Sequence, residues 1–160
     1  MASYHDADGV TSLAAPDFMG IALAEAKAAA EAGEVPVGCV IARGGEVLAK
    51  AGNRTLRDRD PTAHAEILAL RAAAEKIESE RLIDCDLYVT LEPCTMCAAA
   101  ISFARIRRLY FGANDPKGGA VESGVRFFNA PTCHHKPEVY GGIGEADAAA
   151  ILKKFFAAKR

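Results

Sequence analysis

No stretch of this sequence approaches the roughly 18 consecutive apolar residues that a membrane span needs, so no crossing of a bilayer is expected. Met1 to Pro16 lacks the basic segment and the apolar run of a secretory leader. Cysteine is sparse. The five thiols, Cys39, Cys85, Cys94, Cys97 and Cys133, are an odd number in 160 residues. That argues against a secreted disulfide framework and for free or metal-bound thiols in a reducing, cytoplasmic compartment. A charge excess of one sign is missing too: the formal net charge is −2, and beyond Asp17 the chain holds 19 basic against 18 acidic residues. Only local basic clusters could therefore serve a nucleic acid. There is no internal repeat and no linker rich in Pro or Ser. With 51% of its residues apolar, the chain can bury a core unaided. A single domain over residues 17–160, preceded by a flexible tail over 1–16, is expected.

What is present is an alternation of helix and strand signals. Asp17 is a candidate N-cap for a helix with Met19, Ala22, Leu23, Ala26, Ala29 and Ala30 on one stripe, ended by Gly33. Val37 to Ala42 and Glu46 to Ala51 flank Gly44-Gly45, the turn chemistry of a β-hairpin. Asp60-Pro61-Thr62 offers caps and a first-turn proline for a second helix, through about Lys76. Leu87 to Leu91 reads as a buried strand running into Glu92-Pro93-Cys94 and a helix through about Phe103. Ile106 to Gly112 is a further strand, followed by a Gly-rich loop from Asp115 to Gly124. A short strand at Glu138 to Tyr140 and a helix from about Glu145 to Lys159 complete the chain. This order predicts an α/β domain with a mixed sheet and helices on both faces.

Three residues in this pattern point to a metal. His64, Cys94 and Cys97 supply one nitrogen and two sulfurs suited to zinc, and two cysteines three apart at a helix start can close on one ion. Three protein ligands leave a fourth position for water, whose pKa zinc can lower to about 7. Glu66 lies two residues beyond His64, so both reach one site only if that site sits beyond a helix N-terminus. A carboxylate there can take a proton from water and return it to a leaving group. A closed structural site would need a fourth ligand, and Cys85, Cys133, His134 and His135 are conceivable donors. Cys94-x-x-Cys97 alone would also fit a redox pair, which has no use for His64 or Glu66.

His64-Ala65-Glu66 with Pro93-Cys94-Thr95-Met96-Cys97 matches the H-x-E…P-C-x-x-C signature of zinc deaminases acting on nucleobases. Glu34 to Gly38, Asn53-Arg54, Asp60 to Glu66, Leu87 to Cys94 and Phe111-Gly112-Ala113 extend the likeness. Over residues 17–160 the chain resembles the bacterial tRNA adenosine deaminases. That resemblance implies a cytidine-deaminase-like three-layer α/β/α sandwich with a mixed five-stranded sheet, one Zn²⁺ per subunit and a homodimer. It also implies an enzyme that binds a tRNA anticodon stem-loop and converts the wobble adenosine of an arginine tRNA to inosine. By the same resemblance His64, Cys94 and Cys97 are ligands and Glu66 is the proton shuttle. Asn53 would hydrogen-bond the nucleoside, the Ala65 N–H would hold its edge, and Asp115 would face a neighbouring nucleotide. Lys117, Lys159 and Arg160 are candidates for phosphate contacts. Asn114 stands where the family often has Arg, and Ala120 to Phe128 lacks the family's usual Gly-Ser-Leu run. The nearest alternative is a deaminase of a free base or nucleoside, such as guanine or cytosine, because one zinc centre serves all of them.

Overall fold

The computed structural model describes Ser3–His5, Thr11–Leu13 and residues 16–159. Strands β1 (Ser3–His5) and β2 (Thr11–Leu13) pair antiparallel, within the stretch whose sequence shows no period. Helix α1 (Phe18–Glu31) begins where expected, with the Asp17 carboxylate accepting the Gly20 N–H at 2.9 Å, and Gly33 leaves it at φ +83°. Its inward stripe is Ala22, Ala26 and Ala29, all buried. These small residues bring the helix backbone almost onto the sheet: a Cβ at Gly38 would lie 1.9 Å from the Ala22 carbonyl oxygen. Strands β3 (Gly38–Arg43) and β4 (Glu46–Gly52) form the hairpin, and Gly44 and Gly45 both carry the positive φ that a tight connection requires.

Helix α2 (Ala65–Ile77), strand β5 (Asp86–Leu91), helix α3 (Thr95–Phe103), strand β6 (Arg108–Ala113), strand β7 (Glu138–Tyr140) and helix α4 (Glu145–Ala158) follow. The main sheet runs β4-β3-β5-β6-β7. Strand β3 is antiparallel to β4 and β5, whereas β5, β6 and β7 are mutually parallel. Helices α1 and α4 pack on one face, and α2 packs on β3 and β4 from the other with α3 beside it. This is the expected three-layer sandwich with a mixed five-stranded sheet. The larger core lies between the sheet and α2 with α3, and includes Ile41, Leu87, Val89, Ala69, Ile101 and Phe111. Cys39 and Cys85 are buried in that core as small apolar groups. Among the described residues, no helix is long and apolar enough to cross a membrane.

The start of the second helix differs from expectation. Asp60 accepts the Thr62 N–H and hydroxyl at 2.8 and 2.7 Å and closes a separate turn, so Pro61 stands outside the helix. His64 is the N-cap residue, in extended conformation, and makes no side-chain capping bond.

Candidate active site

The parallel strands β5 and β6 both end at one edge of the sheet, the place where open α/β sheets expose helix N-termini and loops to a ligand. Cys94, three residues past the end of β5, is the N-cap of α3, as His64 is of α2. Two helix N-termini therefore meet here, and their unpaired N–H groups favour negative charge. Glu66, in the first turn of α2, points into the same space and is only 4% exposed. The requirement that His64 and Glu66 share a site beyond a helix start is met.

The three proposed ligands converge. His64 Nδ1 lies 3.6 Å from Cys94 Sγ and 3.5 Å from Cys97 Sγ, and the three donor atoms fall within 4.8 Å of one another. A tetrahedral zinc with Zn–N about 2.0 Å and Zn–S about 2.3 Å would hold its nitrogen and sulfur ligands roughly 3.5 Å apart, so the donor set fits that ion. Among the described residues no fourth His, Cys, Asp or Glu joins this group. Cys133 and His135 instead hold a different part of the molecule, where Ser102 donates to the His135 carbonyl at 2.7 Å and His135 Nε2 meets the Ile106 carbonyl at 2.7 Å. His134 is exposed.

The electrostatics suit proton transfer. Burial pushes the Glu66 carboxyl up to about 7, where a group can both accept and release a proton near neutrality. The Cys97 thiol, with help from His64, pulls the Cys94 thiol down to about 4, while Cys97 is raised by the same contact and by burial. The contact between the two sulfurs thus favours proton loss at Cys94. The hydrogen bond with Cys94 raises the His64 pKa, as do the charges of Glu66 and Cys94.

A cleft of about 340 Å³ opens over this centre, within the roughly 300–1,000 Å³ usual for small-molecule sites. Asn53, Thr55, Leu91, Asp115 and Gly118 line it together with His64, Glu66 and Cys94. Asn53 is buried, and its Oδ1 accepts the Ala65 N–H at 2.7 Å. The Ala65 N–H expected to hold a base edge is thereby engaged, and the Asn53 NH₂ becomes the donor that can meet a ligand. Lys117 and Lys159 do not line the cleft: Lys117 is an exposed turn residue, and Lys159, past the end of α4, lies 5.2 Å from the centroid of the Phe155 ring. Arg160 lies outside the described residues.

Two residues of this region, Glu34 and Glu92, lie in stretches that extend the family likeness, but the sequence reading assigned neither a role. Glu34 is 0% exposed and accepts the N–H groups of Leu56 and Arg57 at 3.1 and 2.9 Å and Arg57 Nε at 3.1 Å, tying down the loop between Asn53 and His64. Burial raises its pKa, but the donors of Arg57 and Leu56 together outweigh that and hold it below its ordinary 4.5. Glu92, on the opposite wall, is likewise raised by burial and lowered overall by the N–H groups of Asp115, Val121 and Glu122 and by the Ser123 hydroxyl.

Glu34→Gln is expected to destabilise the fold by about 1–3 kcal/mol, because its amide turns an N–H₂ toward buried donors. Since the folded carboxyl titrates below 4.5, the stability Glu34 adds is present above that pH and is lost as pH falls through its folded value. The gap between wild-type and variant urea midpoints should accordingly be full at pH 7 and shrink in acid. A gap that stays constant with pH would refute this role.

A model of the MafB19-like deaminase family matches residues 15–160. A tRNA-specific adenosine deaminase of Agrobacterium fabrum is 64% identical over 143 residues, 89% of this chain and 94% of that protein. The solved structure from a study of A-to-I editing by tRNA:A34 deaminases at the wobble position of transfer RNA has a TM-score of 0.83 at 64% identity, covering 84% of this chain and 98% of that one. A guanine deaminase from Nitrosomonas europaea is similar more distantly, with a TM-score of 0.78 at 27% identity over 91% of this chain and 86% of the other. With the cytidine-deaminase-like fold and the His64, Glu66, Cys94 and Cys97 centre in place, the chain belongs to the tRNA-specific adenosine deaminase family of MafB19-like deaminases, hydrolases that cleave a C–N bond.

Proposed function

We propose that this deaminase binds one Zn²⁺ per subunit through His64, Cys94 and Cys97 and converts the wobble adenosine of an arginine tRNA to inosine, as a cytoplasmic homodimer. The observation that carries the reading is the buried Glu66 carboxyl beside a three-ligand centre, at the base of a cleft whose wall presents Asn53. When bound, zinc supplies Lewis acidity that makes water a nucleophile near neutral pH. Glu66 takes the proton released as water adds at C6 of the flipped-out base, gives it to N1, and assists proton delivery to the departing amino group, so that adenosine and water become inosine and ammonia. Asn53, oriented by the Ala65 N–H, donates its NH₂ to the nucleoside. Asp115 contacts a neighbouring nucleotide of the anticodon stem-loop from the opposite wall. Lys117 and Lys159 contact phosphates outside the cleft, where basic side chains position a backbone without reading sequence, and Arg160 is a further candidate for a phosphate contact. The exposed Leu56, Phe103 and Val125 supply apolar surface that a second copy could cover, and the free cysteines suit a reducing compartment.

Guanine deamination is the second reading, supported by the likeness to the Nitrosomonas europaea enzyme. A transcribed arginine tRNA with an ACG anticodon separates the two. Inosine at the first anticodon position, with no ammonia from guanine, is the expected result. Zinc-loaded protein that leaves the tRNA unchanged and releases ammonia from guanine would overturn the tRNA assignment.

A further inference from the structure

We propose that Glu92 is a positioning residue that sets substrate affinity by fixing the cleft wall from Asn114 to Ser123; this rests on the deaminase reading above. Glu92 lies between the end of β5 and the ligand Cys94, and is 2% exposed. Its Oε1 accepts from Asn114 Nδ2 at 3.3 Å, the Asp115 N–H at 3.0 Å and the Ser123 hydroxyl at 3.0 Å. Its Oε2 accepts the N–H groups of Val121, Glu122 and Ser123 at 3.0, 2.9 and 3.0 Å. No Lys or Arg is among these donors, so neutral backbone and side-chain dipoles hold the charge. Residues 114–123 contain neither helix nor strand, and the carboxylate supplies the acceptors that a ladder would otherwise provide.

The wrap is close. A Cβ at Gly119 would stand 2.5 Å from Glu92 Cδ and 2.6 Å from the Asp115 carbonyl oxygen, so only glycine fits there. Asp115 and Gly118 line the cleft, and Asp115 Oδ1 in turn accepts the N–H groups of Lys117 and Gly118 at 3.2 and 3.0 Å. Glu92 borders the cleft as well, but both its oxygens are engaged by the loop, so it acts through Asp115. His64 and Glu66 belong to the start of α2 and make no hydrogen bond to this wall among the described residues. Loosening the wall therefore weakens the hold on substrate more than the proton route through Glu66.

Glu92→Gln tests this, because its N–H₂ faces three backbone N–H groups if turned to the Oε2 position and the Asp115 N–H if turned to the Oε1 position. Ser123→Ala removes one donor from the same carboxylate while keeping its charge, and decides the matter if the first variant does not fold. Zinc content, amide hydrogen exchange and steady-state kinetics on an anticodon stem-loop RNA with a wobble adenosine are compared with wild type. Expected are unchanged zinc, exchange at Val121, Glu122 and Ser123 faster by about tenfold or more, and KM raised about tenfold with kcat lowered less than about threefold. An unchanged KM, with kcat falling in step with zinc or folded fraction, would reduce Glu92 to a structural role and overturn the proposal. Wild-type protein that deaminates guanine and not the RNA would sink the substrate reading alone; the same KM comparison on guanine would then decide the role of Glu92.

Discussion

Glu66→Gln is expected to lower the single-turnover rate of deamination by roughly a thousandfold, about 4 kcal/mol of transition-state stabilisation, while zinc stays bound. The substitution keeps the shape of a side chain that is 4% exposed and removes only its ability to accept and return a proton. Burial already pushes this carboxyl up to about 7, a sign that its charge is costly where it stands. The variant should therefore be at least as stable as wild type, since a neutral amide is cheaper to bury than a carboxylate. Loss of rate, retained metal and a thermal midpoint no lower than wild type form a joint expectation that a folding defect cannot reproduce. Turnover within tenfold of wild type would remove Glu66 from the proton route.

Stripping the metal with a chelator is expected to abolish deamination completely, and zinc should restore it. Because the proposed ligands come from two helix starts about 30 residues apart in the chain, a bound ion would also join parts of the fold, and its removal should lower the thermal midpoint. Binding to the folded state alone at a thousand times Kd would contribute about 4 kcal/mol. Cys97→Ala should produce the same two losses without chelator, since Cys97 is fully buried and has no substitute ligand among the described residues. Full activity after exhaustive chelation, or a Cys97→Ala protein with normal metal content, would refute the ligand set.

The two expectations differ in what they read. Glu66→Gln separates chemistry from structure, whereas metal removal couples them. A protein that lost stability in the first case and kept it in the second would have a structural acid and an adventitious metal site, the reverse of the arrangement described.

Much of this was legible before any fold was known, and for local reasons. The α1 stripe, the Gly44-Gly45 turn and the passage from β5 through Pro93 into α3 each depend on residues a few positions apart, so periodicity and turn chemistry suffice. The convergence of His64, Cys94 and Cys97 was legible because zinc accepts few donor types and the spacing of Cys94 and Cys97 is itself local. The start of α2 was misplaced because Asp60 to Thr62 carries the features of a cap yet closes its own turn. The acceptor that satisfies the Ala65 N–H is Asn53, 12 residues earlier, and no local rule selects it.

The sequence by itself determined the class of fold and singled out His64, Glu66, Cys94 and Cys97 as candidates, since these follow from short-range pattern and from the chemistry of particular side chains. The tertiary structure alone decided the walls of the cleft. Glu34 and Glu92 read as ordinary acids in a one-dimensional string. They become internal anchors only when folding brings them N–H groups from residues 22 and more positions away, and excludes the water that would otherwise solvate them.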